Sequence, residues 1–501
     1  MKEQITVTVN GKQIISESGQ ALSEIIKGDQ PCGGHGKCGK CKVIAKGSLS
    51  KPTESERKLL SFDELASGVR LACLTYALGD CEITTISHNE KSQIVTDGSL
   101  PEFELKPTFT KYGIAIDIGT TTLAARLYDT DGKMLGSTSL INPQQEWGAD
   151  IISRLEAALG GKSRVLTKAI RQALDNIIFE IANGATINTK DIDGVVITGN
   201  TVMLSLLTGQ SVEPFSHAPF VAERLFGETL MASELELSNL TPNTPIHLPP
   251  CISAFVGADT TCAILATELC KGDTAMMVDI GTNGEMALWH NGKLTVCSTA
   301  AGPAFEGVGI SMGMRSAEGA IDKVSIENGR LKTHVIGNTV PVGICGSGLV
   351  DAVACMLNLE IIDESGYLED DVFIIQQSVY LAPKDIRMLQ LAKSAICAGL
   401  LTLVDSQELK SSNIQHLYIA GGFGNYLNKE SASKLGLLPE ALALSSHTVG
   451  NAALGGAAML LLNSDMKEIA KSILQNAVVL DLSANKVFSE HYINGMIFGE
   501  L

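Results

Sequence analysis

The chain has 501 residues, with 38 Lys and Arg against 55 Asp and Glu, a formal charge of −17 and a pI near 5.0. That length predicts two to four domains with a large core. The acidic balance argues against nucleic acid as a partner, because neutralising phosphate needs a basic face. The N-terminus, Met1 to Thr6, lacks the apolar stretch of a signal peptide. The longest apolar run, 451–462, is too short for a bilayer span and is interrupted by Gly455 and Gly456. A cytoplasmic protein with no membrane role is expected, and its twelve cysteines then point to metal ligands and reduced thiols rather than disulfides.

Residues 1–90 read as a first domain. Ile5 to Asn10 alternates as a strand, Gly11 turns, Gln13 to Ile15 return as its hairpin partner, and Ala21 to Ile26 has helical spacing. A glycine-rich loop follows with Cys32, Cys38 and Cys41 spaced C-x5-C-x2-C, and a fourth cysteine, Cys73, lies in Arg70-Leu-Ala-Cys-Leu-Thr75. Closely spaced thiolates of this kind wrap a small inorganic core, which the distant fourth closes. The stretch resembles the β-grasp ferredoxins that carry a [2Fe-2S] cluster, with spacing nearer the adrenodoxin type than the plant type. A four-cysteine zinc site is the alternative. Cys81, in a strand over 81–86, reads as a buried apolar residue. His35, Lys37, Lys40, Lys42 and Lys46 form a basic rim, either simple solvation of the loop or a docking face for an acidic partner.

Residues 91–111 turn polar, carry Pro101 and Pro107, show no periodicity and read as a linker. A second fold then runs to the C-terminus in two halves, 112–273 and 274–501. Its first half opens on an apolar strand ending in Asp117-Ile-Gly-Thr-Thr-Thr122. Gly119 allows backbone amides near a ligand, Thr120, Thr121 and Thr122 add hydroxyl donors, and Asp117 is placed to hold a hydrated cation such as Mg2+ beside a phosphate. The second half repeats the pattern as Met277-Val-Asp-Ile-Gly-Thr-Asn-Gly-Glu285, with Asp279 and Gly281 in the matching places, followed by Thr282, Asn283 and Gly284. Each half begins with a three-strand meander, near 113–140 and 275–298, and long helices are expected from about 149 and over 388–403. A third glycine turn, Leu417-Tyr-Ile-Ala-Gly-Gly-Phe-Gly-Asn425, follows a strand, and Gly421 and Gly422 leave room for a purine and ribose, with Phe423 and Asn425 beside them. His217, His247 and His290 have no partners at ligand spacing, and the cysteines from Cys251 onward sit in apolar surroundings, so both sets read as structural.

The two phosphate turns and the adenosine-like turn resemble the family of acetate and sugar kinases, heat-shock 70 chaperones and actin. The expected architecture is therefore α+β and α/β multidomain: a β-grasp ferredoxin followed by a duplicated ribonuclease-H-like ATPase. The whole chain resembles the reductive activators of corrinoid proteins. That likeness rests on Cys32, Cys38, Cys41 and Cys73, on Asp117 to Thr122, Asn142-Pro-Gln144 and Thr198-Gly-Asn-Thr201, on Ala301 to Gly307 with Gly313-Met-Arg315, and on Ala420 to Asn425. The resemblance implies ATP, Mg2+ and a [2Fe-2S] cluster as cofactors, and a corrinoid protein and an upstream electron donor as partners; a homodimer is one arrangement the chain could take. It implies that cobalt(II) is reduced to cobalt(I), with Asp117 orienting the metal, Asp279 the hydrolytic water, and Glu285 a further candidate. Two departures are visible: relatives carry an extra segment before the ATPase, and some carry a C-terminal cysteine cluster, whereas no cysteine follows Cys397 here. An ATP-driven chaperone that exchanges damaged cobalamin and a small-molecule kinase with a fused redox domain are the competing functions.

Overall fold

The computed structural model describes residues 4–26, 34, 36, 39, 41–85 and 100–499. Cys32 and Cys38, with His35, Lys37 and Lys40 of the basic rim, lie outside the described residues. The chain divides into two compact units, one of Met1–Glu90 with Asn142–Ile170 and the other of Lys91–Ile141 with Arg171–Leu501.

In the first unit, the hairpin Gln4–Val9 and Lys12–Glu17 pairs in register from Gln4 opposite Glu17 to Val9 opposite Lys12. Gln4–Val9 also runs parallel to Tyr76–Thr85, which pairs antiparallel with Lys42–Leu49, and Lys42–Leu49 in turn with Val69–Leu71. Alternation places Ile5, Val7, Val43, Ala45, Cys81 and Ile83 on one buried face under Leu22 of the short helix Leu22–Ile26. Each fully buried aliphatic side chain here contributes about 1.5–3 kcal/mol of transfer free energy. Residues 142–170, in the same unit, hold the Asn142-Pro-Gln motif. Asn142 caps the turn Pro143–Glu146, Gln144 donates to Leu166 O at 3.1 Å, and buried Arg154 donates to Gly148 O at 2.9 Å. The helix expected from about 149 is interrupted: Ile151–Ala157 is followed by a wide turn at Ala158–Lys162 containing Gly161 at φ 92°, and only then by Ser163–Gly184.

The second unit carries the duplication. In its first lobe the strands Tyr112–Ile118, Thr122–Asp129 and Met134–Ile141 form an antiparallel meander, with Ile192–Gly199 parallel beside the first strand and Pro245–Pro250 parallel beside that. In the second lobe Ala275–Ile280, Gly284–His290 and Lys293–Thr299 repeat the meander, with His416–Ala420 and Ser446–Gly450 added in parallel. Both Asp117 and Asp279 therefore stand at the carboxyl end of a first, central strand. The helices Ala258–Ala266 and Ala452–Leu462 cross so closely that a Cβ on Gly456 would fall 1.9 Å from Cys262 O. Helix Pro383–Ser406 is long and apolar enough to cross a bilayer, but 78% of that apolar window is buried inside the protein. It buries Asp385, Gln390 and Lys393 as well, the last donating to Ile497 O at 2.6 Å.

Residues 100–111, expected to be linker, are built into this unit. Lys106 N donates to Leu462 O, Thr108 N to Leu461 O and Ser464 N to Lys106 O, each at 2.9 Å. Phe109 is 5% exposed; its ring fills the space that a side chain at Gly113 would need, and its Cβ the space at Gly194. Polar composition gives no sign of this, because the segment satisfies its backbone on the end of a helix and so needs no periodicity of its own.

Candidate functional site

In the first unit the ligand loop is shaped by Gly34, Gly36 and Gly39, all with left-handed φ. A Cβ at Gly36 would come within 2.6 Å of Leu74, so the loop packs on the Cys73 segment as glycine alone allows. Cys41 Sγ and Cys73 Sγ stand 3.2 Å apart. That is well beyond a disulfide bond of about 2.0 Å, and it fits two thiolates turned toward one tetrahedral metal. Glu56, fully buried, holds the Cys73 segment. It accepts from Arg70 Nε at 3.0 Å, Leu71 N at 3.1 Å, Thr75 Oγ1 at 3.0 Å and Thr53 N at 2.9 Å. The donor set and loop thus fit an iron–sulfur core. Of the basic rim, Lys42 is spent on Glu64 at 2.6 Å.

In the second unit the two turns face one cleft between the lobes. Gly119 N donates to Thr122 O at 2.9 Å and Gly281 N to Asn283 O at 3.0 Å, closing each turn tightly. Asn200 caps helix Thr201–Thr208 and extends its Nδ2 to Thr120 Oγ1 at 3.3 Å. Asn451 caps helix Ala452–Leu462 and donates to Asp117 Oδ2 at 3.0 Å. At Gly421, φ +91°, a Cβ would lie 2.5 Å from Asp279 Oδ1, so the third turn closes directly over the second-lobe carboxylate. Phe423 stacks on Phe305 with centroids 4.4 Å apart, which commits its ring to packing, whereas nothing lies within 4 Å of where a Cβ on Gly422 would stand. Gly284 is a correction: it is buried, and its α-carbon faces Ile396 of the core helix rather than the cleft.

Five half-buried carboxylates line the cleft: Asp117, Asp279 and Glu285, expected from sequence, and Asp259 and Glu306. Burial pushes the Asp117 carboxyl up to about 7 against the Asn451 hydrogen bond, with repulsion from Asp259 and Asp279 added. Burial and then Asp259 push Asp279 up to about 7, and burial lifts Asp259 to about 6 although Thr260 eases it. Glu285 is raised well above the ordinary range by burial, then by Asp259 and Asp279. Carboxyls raised mainly by burial, and then by one another, are eased by any positive charge placed among them. Among the described residues no three His, Cys, Asp or Glu side chains converge at ligating distance. One or two carboxylates completed by phosphate oxygens and water is the arrangement in which Mg2+ is usually held. Asp259 went unnoticed in the sequence because Gly257-Ala-Asp259 reads as an ordinary helix start. Glu306, Asn200 and Arg315 lie within motifs whose local sequence gives these three no role.

Comparisons with known proteins agree with this geometry. Residues 112–272 match the family described as the RACo middle region, and 273–500 match the C-terminal domain of RACo, the ASKHA domain. The chain is 35% identical over 420 residues to the corrinoid activation enzyme RamQ of Eubacterium limosum, covering 78% of this chain and 70% of that one. It is 26% identical over 417 residues to the Co(II) methylated amine-specific corrinoid protein reductase of Methanosarcina barkeri, covering 76% of each. The solved structure of a reductive activator for corrinoid, iron-sulfur protein superposes with a TM-score of 0.73 at 28% identity, over 99% of this chain and 98% of that chain. An N-terminal thiolate loop, a duplicated ribonuclease-H-like ATPase and these relatives agree, and the chain belongs to the RACo family of reductive corrinoid activators.

Proposed function

We infer that this protein is an ATP-dependent corrinoid reductase and activase that returns the cobalt(II) of an inactivated corrinoid protein to cobalt(I). The observation that carries the reading is the pairing, in one chain, of two phosphate turns facing a carboxylate-lined cleft with two cysteines held sulfur to sulfur at 3.2 Å. Cys32, Cys38, Cys41 and Cys73 would hold a [2Fe-2S] cluster, which supplies one electron at a time when bound. Asp117 would hold Mg2+ beside the phosphates. Asp279 orients the attacking water, with Glu285 and Asp259 close enough to share that role. Thr120, Thr121, Thr122, Gly119, Gly281, Thr282 and Asn283 cradle the phosphates, and Gly421, Gly422 and Asn425 face the nucleoside. A separate electron donor, a cytoplasmic setting and a homodimer are part of the same proposal.

The test is anaerobic incubation of the protein with a cobalt(II) corrinoid protein, a reductant and ATP, following the visible spectrum of cobalt(I). Cobalt(I) is expected only when ATP is present. Phosphoryl transfer to a metabolite in place of cobalt reduction would identify a kinase. Iron and acid-labile sulfide should each be about two per chain. Replacing Cys32, Cys38, Cys41 or Cys73 by Ser should bleach the visible spectrum, and Cys397→Ser should not. Zinc in the native protein would overturn the cluster assignment.

A further inference from the structure

Glu306 ends the turn Pro303–Glu306 and is followed by Gly307. The turn is tied to the second phosphate turn by Gly302 N donating to Thr282 O at 2.9 Å. From there the Glu306 carboxylate accepts from Thr282 Oγ1, which stands 3.0 Å from Oε1 and 2.9 Å from Oε2. Its Oε2 also lies 3.5 Å from Thr121 Oγ1, across the cleft in the first phosphate turn. A Cβ built on Gly281 would be 3.7 Å from Oε1, so the carboxylate lies against the bare backbone of that turn. Hydroxyls of both turns and the glycine surface of one thus converge on one anionic group. Behind it, Gly307 and Gly313 pack backbone to backbone, a Cβ at Gly313 falling 2.2 Å from Gly307 O. Burial raises the Glu306 carboxyl, and the Thr282 hydroxyl and then the charge of Arg315 ease it.

We propose that Glu306 imitates a nucleotide phosphate: its carboxylate competes with the phosphates for the hydroxyl donors of both turns, and nucleotide binds by displacing it. The competition is steric and electrostatic, because two anions cannot share the same donors at hydrogen-bond distance in a cleft already crowded with carboxylates. A side chain that bridges Thr121 and Thr282 also links the lobes, so its displacement is felt on both sides of the cleft. This rests on the reading of the two turns as a nucleotide clamp.

The experiment is calorimetric titration of the intact, cluster-loaded protein and of its Glu306→Gln and Glu306→Asp variants with ATP, ADP and AMP in the presence of Mg2+. Glu306→Gln removes the charge. Glu306→Asp keeps it but falls one methylene short of Thr121. Both variants should bind ATP and ADP more tightly, Glu306→Gln by about tenfold, or 1.4 kcal/mol, with AMP unchanged. Adding Thr282→Val should erase the gain. Unchanged or weaker binding of ATP and ADP by both variants, with melting temperatures like the wild type, would overturn the competition while leaving the clamp standing. Wild-type protein that binds no ATP would overturn the clamp itself.

Discussion

At the scale of single residues, the cleft is defined by carboxylates that burial has made poor anions. Asp279 is half-buried among its neighbours, and a Cβ at Gly421 would crowd its Oδ1. Asp279→Asn should leave the visible spectrum of the cluster intact and ATP binding measurable, yet slow hydrolysis by on the order of 10²-fold or more. Cobalt reduction should fall in step; reduction at the normal rate without ATP turnover would separate ATP from the electron transfer. The raised carboxyls also predict a pH dependence. Folded, Asp117 and Asp279 keep their protons up to about pH 7, whereas unfolded they lose them near 3.9. The folded chain therefore binds more protons between about pH 4 and 7, so stability should fall as pH rises through that window. A melting temperature that declines from pH 5 to 8, and declines less with Mg2+ and ADP added, is the expected record. A flat profile would mean that water reaches these carboxylates freely.

At the scale of elements, contacts that leave no mark in composition hold the ATPase together. Phe109 is wedged where Gly113 and Gly194 leave two adjacent strands bare. Phe109→Ala should destabilise this unit by about 3–5 kcal/mol, read as a fall in the denaturant midpoint with an unchanged slope. A loss under 1 kcal/mol would show that the segment 100–111 is dispensable. At the crossing of Ala258–Ala266 and Ala452–Leu462, Gly456 meets a backbone carbonyl that cannot turn aside. Gly456→Ala would therefore force the helices apart at a cost of about 1–3 kcal/mol, although alanine is the better helix former. A thermal shift upward instead would show that the crossing has slack.

At the scale of the whole molecule, the thiolate domain and the ATPase share one chain. Residues 106–108 of the expected linker are hydrogen-bonded to the ATPase unit. Covalent geometry limits the span from 86 to 99 to about 50 Å. A protease site inserted between 86 and 99 and cleaved should leave the cluster spectrum and ATP hydrolysis unchanged. Electron delivery to the corrinoid protein should fall at micromolar concentration, because a tether supplies an effective concentration in the millimolar range. Undiminished delivery after cleavage would show that the covalent link is incidental.

Both phosphate turns, the adenosine-like turn, the duplicated meander and the spacing of the four cysteines were legible in the sequence. Each is a local string whose chemistry follows from neighbours in the chain: a strand, then a glycine, then donors. What the tertiary structure alone decided is which side chains meet across distance. Asp259 joins Asp117 and Asp279 only because a helix start is carried to the mouth of two sheets. Asn451 reaches Asp117 from the opposite end of the fold sequence. Glu306 lies between Thr121 and Thr282 because two turns from different lobes converge on it. Gly284 shows the converse, a residue in the right string whose strand position turns it to the core. Local conformation follows from short-range sterics and hydrogen bonding, which a sequence displays. The electrostatics of a site depend on distances between segments, which exist only once the lobes have packed.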